Sequence, residues 1–133
     1  MPQLIRAEAS HNQWSWFFGQ GKDNPCSAAR LLIRSSHYDA SHTWNAGCHA
    51  PGVTLWLGFD IPVAMLMLCP NMDPAEGVVG LVVVLENTER IAHRAVWSEG
   101  EWVTIRIPTP CRNLHSEFVE SPSWIALHAV DAS

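Results

Sequence analysis

The chain has 133 residues, of which 47% are apolar and 16% charged, with a formal net charge of −5. That length suits one domain over residues 1–133, able to bury roughly two thirds of its unfolded surface without staples. Its eight Lys and Arg residues are scattered rather than gathered into a stripe, and the acidic balance repels polyanions, so nucleic acid is not expected as a partner.

No apolar run reaches the ~18 residues of a spanning helix. The N-terminal MPQLIRAEAS has no basic segment followed by an apolar core, which gives the expectation of a cytoplasmic protein. In that setting Cys26, Cys48, Cys69 and Cys111 are expected as reduced, mostly buried thiols. Were the chain cut from a longer secreted protein, the same four would suggest two bridges.

Residues Gln3 to Ala9 alternate as an opening strand should. The segment SHNQWSWFFGQGKDNPCS follows, with Trp14, Trp16, Phe17 and Phe18 ahead of Gly19-Gln20-Gly21 and the turn Asp23-Asn24-Pro25. So many adjacent aromatics must plug one end of the fold or meet a partner, and a lid over the core is the expectation. The Gly-x-Gly lacks the strand, third glycine and helix of a dinucleotide site. The polar stretch Ser35 to His42 reads as a loop.

The central stretch VTLWLGFDIPVAMLMLCPNMDPAEGVVGLVVVLE, Val53 to Glu86, holds two apolar runs separated by Pro70, Asn71, Asp73, Pro74 and Gly77. Strands are expected at Val53 to Phe59, Val63 to Cys69 and Val78 to Leu85. In the first, Val53, Leu55, Leu57 and Phe59 share one face and Thr54, Trp56 and Gly58 the other. The second and third are apolar on both faces, as strands covered on both sides would be. Ile91 to Trp97 and Trp102 to Ile107 follow around the turn Ser98-Glu99-Gly100-Glu101, and Pro108-Thr109-Pro110 should end the latter strand. CRNLHSEFVESPSWIALHAV supplies a closing pair. Short strands at regular spacing, with no helix longer than about two turns, give an all-β chain, a β-sandwich jelly roll.

The chemistry of catalysis is missing from these patterns. There is no Gly-x-Ser-x-Gly elbow, and Asp73, Glu76, Glu99 and Glu101 fall in turns rather than as a pair across a cleft, so the chain reads as a non-enzyme. His37, His42, Cys48 and His49 share a polar stretch but lack the paired short spacings of a zinc site, so no metal is expected there.

LWLGFD leading into Ile61-Pro62-Val63, the small-residue turn Cys26 to Leu32, Thr43-Trp44 and SPSWIALH together resemble the discoidin, or galactose-binding-domain-like, superfamily over roughly residues 23 to 130. That group includes coagulation-factor type C domains and carbohydrate-binding modules. The resemblance implies a galactose-binding-like β-sandwich. Trp44, Trp56 and Trp102 are expected to be structural. The resemblance places a sugar-binding loop position at Asn45, a second loop at residues 70 to 77, and an aromatic platform at Trp124. The sequence departs from that pattern in two ways: the loop at 70 to 77 lacks an Arg, and Asn45 stands where a His is expected, flanked by His42 and His49. Many sugar-binding relatives hold a structural calcium near the turn corresponding to Asp23-Asn24-Pro25, but one Asp and one Asn are a thin ligand set, and no cofactor is expected.

The function so implied is a non-enzymatic ligand-binding module, carbohydrate-binding and lectin-like, through Trp14, Trp16, Asn45, Asn71, Glu76 and Trp124. Asp73 also offers hydrogen-bonding capacity on the same loop. An intracellular protein docking or adaptor domain is the alternative, so the partner is a saccharide or a protein. Membrane insertion through the aromatic loop is disfavoured by the net charge.

Overall fold

The computed structural model describes residues 2–32 and 43–133. The loop expected from Ser35 to His42, with His37 and His42, lies outside the described residues. Among those described, the strands are β1 (Leu4–Ala9), β2 (Trp44–Asn45), β3 (Val53–Pro70), β4 (Glu76–Leu85), β5 (Arg90–Ser98), β6 (Val103–Glu120) and β7 (Ala126–Ala132). One helical turn, α1 (Ser15–Phe18), and a 3-10 turn at Ala28–Leu32 complete the elements.

β3 and β6 are each 18 residues long and pair antiparallel with one another twice. Val53 to Gly58 lies against Phe118 to Asn113, and Met65 to Leu68 against Arg106 to Val103. The register slips between Gly58 and Val63 and again between Val63 and Met65. Pro62 sits in the first slip, and Pro108 and Pro110 lie on β6 opposite the second. Proline has no N–H to give the ladder, so the pairing lapses there and each strand bends out of one layer into the other.

The two layers follow from that bend. β1, the first half of β3, the second half of β6, β4 and β5 pair in that order, while β2, β7, the second half of β3 and the first half of β6 form the other layer. Val53, Leu55, Leu57 and Phe59 point inward as the alternation predicts, meeting Leu66, Leu68, Leu81, Val83, Ile105, Leu114, Phe118 and Leu127. Trp44 is fully buried against Phe118, with ring centroids 6.2 Å apart, and its Nε1–H donates to the His11 carbonyl. The β-sandwich expected from the sequence is therefore present.

Several expectations need correction. Val53–Phe59 and Val63–Cys69 are halves of one strand rather than two strands joined by a turn, and Pro108-Thr109-Pro110 bends β6 without ending it. The strands expected to be covered on both sides have one outer face: Ala64 and Met65 are exposed, and Val78, Val82 and Val84 are half-buried. Valine still suits such positions, because a branched side chain fits the pleat and Val84 lies opposite the stem of Arg90.

The aromatic loop is not a lid over the core. Trp14, Trp16, Phe17 and Phe18 are 47, 79, 68 and 44% exposed and pack on one another, with successive ring centroids 6.1, 5.7 and 4.7 Å apart. Trp44, Leu127 and Phe118 already fill the interior, so the loop has no core position left to plug. Trp56 and Trp102, expected to be structural, are 36 and 49% exposed, because Trp56 is on the outward row of β3 and Trp102 precedes β6.

Candidate functional site

Three connections meet at one end of the sandwich: β2–β3 (residues 46–52), β3–β4 (residues 71–75) and β6–β7 (residues 121–125). Each is tied to its neighbours through the backbone. Ala46 N–H donates to the Ile125 carbonyl at 2.8 Å, Ile125 N–H to Cys48 at 3.0 Å, and Asn71 N–H to Ala126 at 3.1 Å. Ser121 Oγ accepts from Ala50 N–H and donates to the Ser123 carbonyl, which folds the last loop back on itself.

Two glycines make these approaches possible. Gly47 has φ of 77°, and a Cβ there would also meet Gln13 at 3.1 Å. At Gly77 a Cβ would sit 2.6 Å from Pro122 Cγ, so β4 can lie against the loop that delivers Trp124 only without a side chain.

A cleft of about 440 Å³ opens between the loops, lined by Asn45, His49, Asn71, Asp73, Ser123 and Trp124 together with Pro122 and Ala126. Trp124 is 46% exposed, so it is a wall of the cleft and not a core plug. Asn45 Oδ1 accepts from Gly47 N–H at 2.8 Å, which fixes the amide and leaves its NH₂ as the donor toward the cleft. Of the residues expected at a site, Asn45, Asn71 and Trp124 come together here. Trp16 lies on α1, Trp14 immediately precedes it, and Glu76 is exposed at the start of β4; none of these three lines the cleft.

Sequence reasoning missed the support behind the loop. Glu99, in the β5–β6 turn, accepts from Met72 N–H through Oε2 and from His128 Nε2 through Oε1, the latter at 2.6 Å. Buried His128 also bonds Thr43 Oγ1 through Nδ1 at 3.0 Å. Backbone bonds from Glu99 N–H to Ala75 and from Gly100 N–H to Pro70 close the same junction. Thr43, Glu99 and His128 are far apart in the chain, and no spacing signal joins them.

Hydroxyl, imidazole and carboxylate in that order have the connectivity of a hydrolytic triad. Thr43 is buried, however, and neither it nor His128 lines the cleft, so no substrate carbonyl reaches the hydroxyl. Among the described residues Asp73 is the one carboxylate on the lining, which falls short of the pair that glycoside cleavage needs. The arrangement offers stacking and hydrogen bonding.

The turn Asp23-Asn24-Pro25 does not fit a calcium ion. Asn24 is buried, and its Nδ2 donates to the carbonyls of Gln13 and Gly19, both at 2.9 Å, occupying oxygens that a cation would need. Its Oδ1 accepts from Cys26 N–H, and Asp23 is exposed. No group of three or more His, Cys, Asp or Glu suited to a metal occurs among the described residues. All four cysteines are unbridged; Cys69 and Cys111 are buried, Cys26 and Cys48 half-buried, and burial raises all four thiols above their ordinary value.

No family model and no curated protein sequence matches the chain. Solved structures do. A pectin-binding carbohydrate-binding module is similar at TM-score 0.65 and 10% identity, covering 100% of this chain and 92% of that one. A chitosan-binding module of a chitosanase/glucanase from Paenibacillus sp. IK-5 gives TM-score 0.61 and 14% identity, with 96 and 93% covered. The lectin domain of lectinolysin, solved with Lewis B antigen, gives 0.63 and 11%, with 96 and 91% covered. Over essentially its whole length, then, the chain has the discoidin-like, galactose-binding-domain fold of these carbohydrate-binding modules and lectin domains.

Proposed function

We propose that the chain is a non-catalytic carbohydrate-binding module that takes a saccharide into the cleft at Asn45, Asn71 and Trp124. The observation that carries this reading is the half-exposed indole of Trp124 standing over a polar cleft whose loops are fixed by backbone bonds. A pyranose has an apolar face, which stacks on an aromatic ring, and a rim of hydroxyls, which Asn45, Asn71, Asp73 and Ser123 can pair as donors and acceptors. Loops already held in place lose little freedom on binding. Solved neighbours that bind pectin, chitosan and Lewis B antigen support the reading.

A printed glycan array followed by titration calorimetry tests it. Discrete sugar hits, lost on Trp124→Ala, are the expected result; a protein partner from native extract with no sugar hit would favour docking. The exposed cluster from Trp14 to Phe18 favours that second reading, since so large an apolar group is suited to a protein surface.

A further inference from the structure

We propose that the cleft selects saccharides by charge, favouring cationic amino sugars and rejecting uronates, with Asp73 as the selecting residue. This rests on the saccharide reading of the same cleft.

The fold hosts modules for pectin and for chitosan, polymers of opposite charge, so the fold does not decide which charge a site accepts. The lining does. Asn45, Asn71 and Ser123 are neutral, Asp73 is a carboxylate, and no Lys or Arg lines the cleft among the described residues. Three arginines elsewhere are engaged: Arg94 with Glu120 at 2.8 Å, Arg90 with Glu117 at 2.7 Å, and Arg6 beside Glu8 at 3.5 Å. A uronate entering this cleft meets no fixed cation and one fixed carboxylate, on a chain of net charge −5. An ammonium meets an acceptor.

Asp73 is also presented for that purpose. Its neighbours on the loop are pinned, Asn71 N–H to Ala126 and Met72 N–H to Glu99, while its own exposed carboxylate bonds nothing among the described residues. Glu99, the next acid along that junction, is occupied by His128 and Met72. The loop is thus rigid in its backbone and open at one charge, which is how a specificity contact is built.

The test is calorimetric titration of the full chain with oligosaccharides of matched length built from an amino sugar, its neutral N-acetyl form, or a uronate. Weakly acidic, low-salt buffer keeps the amine protonated. His49 also lines the cleft, so the series is repeated in His49→Gln. We expect the amine to bind about fivefold tighter than the neutral form (~1 kcal/mol) and the uronate at least about fivefold weaker. The amine-to-neutral ratio should fall toward one in Asp73→Asn and in high salt, with an unchanged melting temperature as the folding control. Equal binding of amine and uronate, or a ratio untouched by Asp73→Asn, overturns charge selection and leaves the saccharide reading standing. No binding to any of the three or to any array glycan overturns both.

Discussion

Glu99 Oε1 lies 2.6 Å from Nε2 of the buried His128, and through this contact the β5–β6 turn is fastened to β7. The other carboxylate oxygen holds Met72 N–H, so the same side chain sets the position of the loop that carries Asn71 and Asp73. Glu99→Ala removes the acceptor from two groups at once. Losing partners for buried or half-buried donors costs about 1–3 kcal/mol, and the loosened loop should weaken saccharide binding several-fold. Denaturant unfolding and calorimetry read the two effects; Glu101→Ala, exposed in the same turn, should change stability by less than about 0.5 kcal/mol.

Gly77 and Pro122 make a second, steric coupling. An added Cβ would lie 2.6 Å from Pro122 Cγ and 2.7 Å from Cβ, inside contact distance with a ring that cannot swing away. Gly77→Ala should therefore move the loop that delivers Trp124 and reduce affinity more than stability. Gly80→Ala, whose nearest contacts are 3.4 Å, is the matched control and should bind as the parent does. Equal affinities in the two variants would show that the loop position does not matter to binding.

The parts of the fold that could be read in advance are those where local pattern and tertiary role agree. Val53, Leu55, Leu57 and Phe59 alternate because one face of β3 is buried, and that alternation is visible in the residues themselves. The passage through Pro62 is different. A proline between two apolar runs reads equally as a turn or as a bend, and only the pairing of β3 with both halves of β6 shows that it is a bend. Trp14 to Phe18 misled for a related reason: apolarity says that burial would be favourable, but not that Trp44 and Phe118 already occupy the interior.

The site was legible only in part. Asn45, Asn71 and Trp124, which a resemblance of short motifs singles out, fall on the lining of the cleft, whereas Glu76, Trp14 and Trp16 do not. Thr43, His128 and Glu99 could not be found at all, because long-range polar contacts leave no periodicity.

Burial lowers the His93 imidazole below its ordinary value of 6.5, and Trp97 Nε1–H donates to its Nε2 at 3.4 Å, a bond only the neutral ring can accept. The unfolded chain therefore takes up this proton more readily than the folded one. The His93 contribution is present above the ordinary imidazole range and is lost as pH falls through the lowered folded value. Melting temperatures followed down in pH should decline less steeply in His93→Gln than in the parent.

Cys69 gives the alkaline counterpart. Burial, aided by the Glu99 carboxylate, pushes its thiol from the ordinary 9.0 up to about 11. Folding then favours the protonated form, an advantage fully present below the ordinary value and lost as pH rises through about 11. Cys69→Ala should flatten the alkaline limb of the stability curve. In the native parent, Cys69 should also alkylate far more slowly than the half-buried Cys26 and Cys48, as peptide mapping after brief labelling would show.

Trp124 is the residue on which the saccharide reading stands. Its ring is 46% exposed at the cleft, while the core beneath is filled by Ile125, Trp97 and Phe118, so truncating it opens the site without emptying the interior. Loss of a central aromatic anchor commonly costs about 2 kcal/mol or more, and tenfold in affinity is about 1.4 kcal/mol, so Trp124→Ala should weaken binding at least about tenfold. Large core truncations of the same residue type destabilise by about 3–5 kcal/mol, and a change well below that separates a binding role from a packing one. Calorimetry alongside thermal melts measures both quantities on one preparation. Unchanged affinity removes Trp124 from the site, and a collapse of the melting temperature assigns the indole to the core after all.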